Sequence, residues 1–304
     1  MASMASMAIV TRLIATGRSH EASSLRIIGI VRPSRWAPPL RWFPVRRLLH
    51  LTHRHRSPAT NQALGLLLAF NAGAVNAGGF LVLQRYTSHM TGFASQLADG
   101  AVLGQTTLVL NALGAILAFL AGAAVCALLV HWARQQHLRC VYALPLLLEA
   151  ALLFPFGLMG AITLGWHTPF AVPLTVLLLS FIMGLQNAVG SKTSGGRIRT
   201  THMTGNITDL GMELGKMLYW NRQAARHGAV PDATAVGVHH NRQRAAMAAG
   251  LLGSFVLGGF VGALGFQRVG FICVVPLAAL LFALSVMPMR RDWARWRAIV
   301  WGGS

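Results

Sequence analysis

The chain has 304 residues, 54% hydrophobic and 11% charged, with a mean hydropathy of +0.54, a balance that excludes an ordinary soluble domain of this size and marks an integral membrane protein. A net charge of +19 would suggest a nucleic-acid partner in a soluble protein. Here the basic residues lie between long apolar runs, where positive charge marks the cytoplasmic face, so the expected partner is the lipid bilayer and no nucleic acid.

Residues 1–60 form a basic segment with ten Arg, no Lys and Glu21 as its one acid. Three readings stay open: a transit-like peptide, a surface-bound segment with Trp36, Trp42 and Phe43 at the interface, or sequence upstream of the true start. Six apolar stretches follow, each close to the roughly 20 helical residues that cross a bilayer: Gln62 to Leu83, Thr106 to His131, Tyr142 to Leu164, Pro169 to Val189, Ala246 to Phe266 and Gly270 to Pro288. Lys and Arg concentrate before the first, after the second, after the fourth and in the basic tail 291–304, which places both termini in the cytoplasm. The "VHHNRQR" cluster around His239 and His240 is expected in a solvated loop. Three cysteines, Cys126, Cys140 and Cys273, show no CxxC spacing and suggest neither a disulfide framework nor a zinc site.

A repeat organises these spans. His89-Met90-Thr91-Gly92 returns as His202-Met203-Thr204-Gly205, an offset of 113 (202 − 89), and Thr87 matches Thr200. Upstream, Gly73, Asn76, Ala77 and Gly79 fall on Gly184, Asn187, Ala188 and Gly190 at an offset of 111 (187 − 76). "FLAGAAVCAL" from Phe119 echoes "FVLGGFVGAL" from Phe255, and "PLLLEAALL" from Pro145 echoes "PLAALLFAL" from Pro276. The expected fold is therefore an all-α integral membrane protein with six transmembrane helices as two inverted three-helix repeats, 61–168 and 169–290. Three spans per unit force the second unit to enter the membrane in the opposite sense, a device of secondary transporters.

Asn71 and Asn76 in the first span, and Gln186 and Asn187 in the fourth, stand among glycines in apolar surroundings. Helices there should be broken or packed inward, and discontinuous helices in matching positions of two halves point to a substrate site. Close packing with cross-helix amide bonds is the plainer alternative, as it is for Gly258 and Gly262, which have GxxxG spacing. Thr91-Gly92 and Thr204-Gly205 look like helix starts with the Thr as N-cap. Asn206 and Asp209 add capping character to the second, and a helix N-terminus is a natural anion site. Ile207, Leu210, Leu214 and Leu218 make an apolar face after that start. His89 and His202, with Met90 and Met203, are candidates for gating, proton relay or structural hydrogen bonding; no metal site is expected. Glu149 is the acid inside a predicted span, open to proton coupling, a salt bridge or a neutral buried form. No Ser elbow, phosphate loop or HExxH occurs, so neither catalytic residues nor a cofactor is expected and the protein is not read as an enzyme.

"AGAVNAGGFLVL", "SHMTG", "SFIMGLQNAVG" and "RTTHMTGNITDLG" together resemble the YoaK family of bacterial multi-pass membrane proteins of unknown function, over about Asn61 to Arg290. The resemblance implies a bacterial inner-membrane location. The second copy keeps Met203-Thr204-Gly205-Asn206, whereas the first has Phe93 where the family commonly has Asn. Asn76 stands where the family often has Asp, which removes a carboxylate available for proton coupling. The expected function is a transporter or permease-like protein that moves a small solute by alternating access, contacted by Asn71, Asn76, Gln186 and Asn187, with the two His-Met-Thr-Gly elements closing opposite faces. A non-transporting assembly or regulatory protein is the alternative, and a homo-oligomer is compatible with either.

Overall fold

The computed structural model describes residues 51–52, 57–83, 86–165, 171–196, 198–227 and 232–292, the side chains at 82, 163–165, 171–172, 221, 223–227, 232–241 and 291 excepted. Most of the basic segment 1–60, the loop at 166–170, and all of the tail 291–304 beyond Asp292 lie outside the described residues. The elements are helical: α1 (Pro58–Leu83), α2 (Met90–Val102), α3 (Thr106–Gln135), α4 (Ala143–Gly165), α5 (Ala171–Ser194), α6 (Met203–His227), α7 (Asp232–Val269) and α8 (Val274–Met289), with a 3-10 turn at Gly270–Cys273.

Local chemistry sets the ends of these helices. Ser57 caps α1, its Oγ accepting from Thr60 N at 3.2 Å, with Pro58 at the first helical position, where a missing N–H costs nothing. α5 ends where Gly195 and Gly196 take φ of +63° and +84° and Gly196 N returns to Ser191 O at 2.8 Å, a Schellman closure. Five stretches among the described residues are long and apolar enough to cross a membrane: Pro58–Leu81, Thr106–Gln135, Ala143–Ile162, Pro173–Ser194 and Arg242–Met289. The last has 48 residues and would reach roughly 70 Å as one helix, but Gly270, with φ +66°, turns the chain between α7 and α8.

Apolar side chains fill the core and also cover the outer surface, and several polar side chains are buried among them. Leu110, Leu117, Leu120 and Leu128 of α3 and Val256, Leu257 and Phe260 of α7 are exposed, while Asn71, Glu149, Ser180 and Gln186 are fully buried. Lipid can cover the first set, and a polar group facing lipid would be left unpaired. The protein is an all-α, multi-pass membrane protein.

Two helix crossings, built alike, hold the bundle. A Cβ on Gly73 of α1 would overlap the Phe255 carbonyl of α7, and one on Gly258 the Phe70 carbonyl of α1. At the matching positions, a Cβ on Gly184 of α5 would overlap the Phe119 carbonyl of α3, and one on Gly122 the Phe181 carbonyl of α5. Within each pair the helices run parallel: Gly250 meets Leu66, Gly262 meets Ala74 and Gly78 meets Phe266 between α1 and α7, and Gly114 meets Leu177 and Gly122 meets Phe181 between α3 and α5. Between the pairs, α1 and α5 run antiparallel: Gln186 reaches Leu68 O at 3.1 Å while Gly79 meets Leu179. The Gly258–Gly262 spacing is thus a packing face, as expected.

Several expectations change. α1 and α5 are continuous through their glycines, because those glycines admit a neighbouring backbone and the helical hydrogen bonds survive. Thr91 and Thr204 do not cap: α2 begins at Met90 with His89 in the capping position and no side-chain cap bond, and both threonines are exposed inside the first turn. His239 and His240 belong to α7, which starts at Asp232, well before the apolar stretch whose hydropathy set the expected boundary.

Candidate functional site

Each His-Met-Thr-Gly element follows the C-terminal end of one of the antiparallel helices α1 and α5 and is tied back to it by an amide. Asn76 Oδ1 accepts from Ser88 Oγ at 3.1 Å. At the matching place, Asn187 Nδ2 donates to Thr201 Oγ1 and to Met183 O at 2.9 Å, and Asn187 Oδ1 accepts from Thr201 N at 3.3 Å. The imidazoles of His89 and His202 then fold over the first turn of α2 and α6, into the space that a Cβ on Gly92 or Gly205 would fill. The motif is a His-x-x-Gly packing unit: the glycine, one helical turn on, leaves room for the ring. Among the described residues no three His, Cys, Asp or Glu side chains gather in a way that could hold a metal ion.

The other two amides lie in the core. Asn71 Nδ2 donates to Glu149 Oε1 at 3.5 Å, joining α1 to α4, and Gln186 Nε2 donates to the Leu68 carbonyl. Asn71 Oδ1, Glu149 Oε2 and Gln186 Oε1 are buried without a hydrogen-bond partner among the described residues. The ion pair found among the described residues is Lys216–Glu213 on α6, at 2.9 Å; Glu149 has an amide beside it and no salt-bridge partner among the described residues.

A cleft of about 840 Å³ opens at the second motif. Its walls are the N-terminal end of α1 (Asn61, Gln62), the segment after α5 (Arg199, His202), one face of α6 (Asn206, Asp209, Glu213, Lys216) and the middle of α7 (Arg244, Met247, Ala248, Leu251). Asn206 and Glu213 are buried, whereas Ile207, Leu214 and Leu218 on the opposite face of α6 are exposed. At the other end of the fold the corresponding position carries an aromatic ring. Phe93, the counterpart of Asn206, is buried against Ala112 and Ala115 with Met90, Leu97 and Ile116 around it. Those two alanines correspond, at an offset of 136 (258 − 122), to Ala248 and Leu251 of the cleft wall.

His202, Gly205, Asn206 and Asp209, singled out by the sequence, therefore meet at the cleft, and Asn71, Gln186 and Glu149 do not line it. Sequence reasoning missed Glu213, Lys216, Asn61 and Arg244. One signal was available: Asn206, Asp209 and Glu213 fall on one helix face at i, i+3 and i+7, and the first copy has Phe93, Gln96 and Gly100 in their places.

Comparison with known proteins agrees with a membrane assignment. Over 161 residues, 52% of this chain and 68% of the relative, the sequence is 29% identical to the UPF0700 transmembrane protein YoaK of Bacillus subtilis (strain 168). No solved structure matches. The model of a protein family of unknown function, DUF1275, matches residues 64–287, about three quarters of the chain, and the protein belongs to that family.

Proposed function

We propose that the protein is a permease of the bacterial inner membrane that moves a small solute by alternating access. It crosses the bilayer six times as two inverted three-helix units, with both termini in the cytoplasm. One observation carries this reading: the same scaffold is built at both ends, yet one end has an open cleft with charged side chains in its lining, and at the other Phe93 is buried in the place of Asn206. The paired glycine crossings, the Asn76 and Asn187 ties and the antiparallel run of α1 and α5 support the inverted relation. Such a relation lets one path face either side in turn.

In this reading the cleft at His202–Gly205 is the cytoplasmic mouth and the element His89–Gly92 closes the outer one. Asn71 and Gln186, with their spare acceptors, are the deeper contacts for a solute passing between α1 and α5. Asn76 and Asn187 hold the two gates to their helices.

Single cysteines at the exposed positions Thr91 and Thr204, in a background without Cys126, Cys140 and Cys273, test the topology. A membrane-impermeant maleimide should label Thr91→Cys in intact cells and Thr204→Cys only after permeabilisation; labelling of both from one side refutes the inversion. Exchanging Phe93 and Asn206 tests the gate. Asn206→Phe should protect a Met247→Cys from reagent, and Phe93→Asn should expose an Ala115→Cys from outside; no change at either site refutes the role given to Phe93.

A further inference from the structure

The chemistry of the cleft names a solute class, resting on the permease reading. Glu213 is 4% exposed and lines the cleft. Lys216 Nζ donates to its Oε1 at 2.9 Å, while Oε2 is buried with no hydrogen-bond partner among the described residues. Asn61 Oδ1, from the end of α1, is a second buried cleft oxygen without a donor. Both orphans are acceptors. A carboxylate has about four lone-pair sites and takes no donating role when ionised, and leaving such a group unpaired is costly.

Charge narrows the choice of donor. Asp209 lies one helical turn before Glu213 on the same face, so this wall carries two carboxylates against Lys216, whose side chain is 48% exposed. Arg199 and Arg244, exposed like Asp209, line the cleft as well, so its lining as a whole carries three cations and two carboxylates, the carboxylates together on α6. A hydroxyl would supply one donor, and no charge, to the face that holds Asp209 and Glu213. An ammonium group supplies three donors and a positive charge together. None of these groups has a like counterpart at the other end: Asp209, Glu213 and Lys216 correspond to Gln96, Gly100 and Leu103.

We infer that the cleft binds a small solute through an ammonium group held at Glu213, Asp209 and Asn61. The test is thermal unfolding of the full-length protein in lipid nanodiscs with matched probes at millimolar concentration: ethanolamine against ethylene glycol, and alanine against lactate, each pair differing by an ammonium in place of a hydroxyl. The ammonium member of at least one pair should raise the unfolding temperature and its partner should not, because a ligand of the folded state stabilises it. Alanine acting more strongly than ethanolamine would assign the solute carboxylate to Arg199 and Arg244; the reverse would assign a simple amine. Asp209→Asn, at an exposed position, and Glu213→Gln should each raise the half-effective concentration about tenfold or more, and Asp209→Asn decides the matter if the Glu213 variant does not fold. Equal effects within both pairs, or no effect of any probe, overturn the ammonium assignment. The permease reading is judged separately by the cysteine labelling, which uses no solute.

Discussion

Replacing Gly73 by alanine places a methyl group 2.9 Å from both the Phe255 carbonyl carbon and Gly259 N, and nearer still to the Phe255 oxygen. These are backbone atoms of α7 and cannot rotate away. Ordinary contact begins at about 3.4 Å, so, with the Phe255 oxygen as the nearest atom, α1 and α7 have to part by more than about an ångström along a crossing that also packs Gly258 on Phe70 and Gly262 on Ala74. Overpacking of this kind costs roughly 1–3 kcal/mol, occasionally more, and alanine returns up to about 1 kcal/mol of helix propensity. The net expectation is a loss of about 2 kcal/mol, or roughly 3 °C in the unfolding temperature for a chain of this size. Gly184→Ala should behave alike, since its Cβ meets the Phe119 backbone in the same way. Gly253→Ala and Gly211→Ala, where nothing lies within 4 Å, should be neutral or stabilising. The assay is thermal unfolding in detergent of the four purified variants. A Gly73→Ala protein as stable as Gly253→Ala would show that the crossing is looser than described and would remove the common scaffold.

Three further outcomes follow from the buried polar contacts. Asn187 makes three hydrogen bonds and Asn76 one, so Asn187→Ala should cost about 2 kcal/mol and Asn76→Ala about 1 kcal/mol, with hydrogen exchange accelerating first around Thr201; equal losses would refute the unequal ties. Glu149→Gln keeps an acceptor for Asn71 Nδ2 and should stay within about 1 kcal/mol of the parent, whereas Glu149→Ala, which opens a cavity and orphans that amide, should cost about 2–4 kcal/mol by thermal unfolding. Asp292 Oδ2 accepts from Arg139 N at 2.9 Å and Cys140 N at 3.0 Å, fastening the α3–α4 turn to the end of α8; Asp292→Ala should cost about 2–3 kcal/mol and speed alkylation of the buried Cys140 severalfold, and unchanged alkylation would refute the clasp.

Hydropathy made the spans legible because the requirement it reports, about 20 apolar residues per crossing, is local. The glycines were harder. Gly73 and Gly184 read as helix breakers when each helix is considered alone, and only the presence of Phe255 or Phe119, distant in sequence, shows that they are seats for another backbone. The capping role given to Thr91 and Thr204 failed for a related reason: Thr is a good N-cap by composition, but the ring of His89 or His202 needs the glycine three residues on, and that fixes the helix start two residues earlier. The cleft was illegible because it needs the end of α1 to meet α6 and α7. No single stretch contains more than one wall of it.

The two halves repeat in their scaffold and differ in the residues that give the cleft its chemistry. The glycine crossings, the amide ties and the His-x-x-Gly units occur twice, while Phe93 answers Asn206, Gly100 answers Glu213 and Leu103 answers Lys216. On the proposed mechanism this division has an energetic meaning. A scaffold with two equivalent ends makes the outward- and inward-facing arrangements nearly equal in energy, and the unrepeated side chains set the balance. Burying Phe93 then favours closure of its own end by about 1.5–3 kcal/mol, which leaves the opposite arrangement populated at roughly 0.6–7%. A solute shifts that balance by its difference in affinity between the two arrangements. On that mechanism Phe93 is strong enough to set a resting orientation and weak enough for solute binding to reverse it.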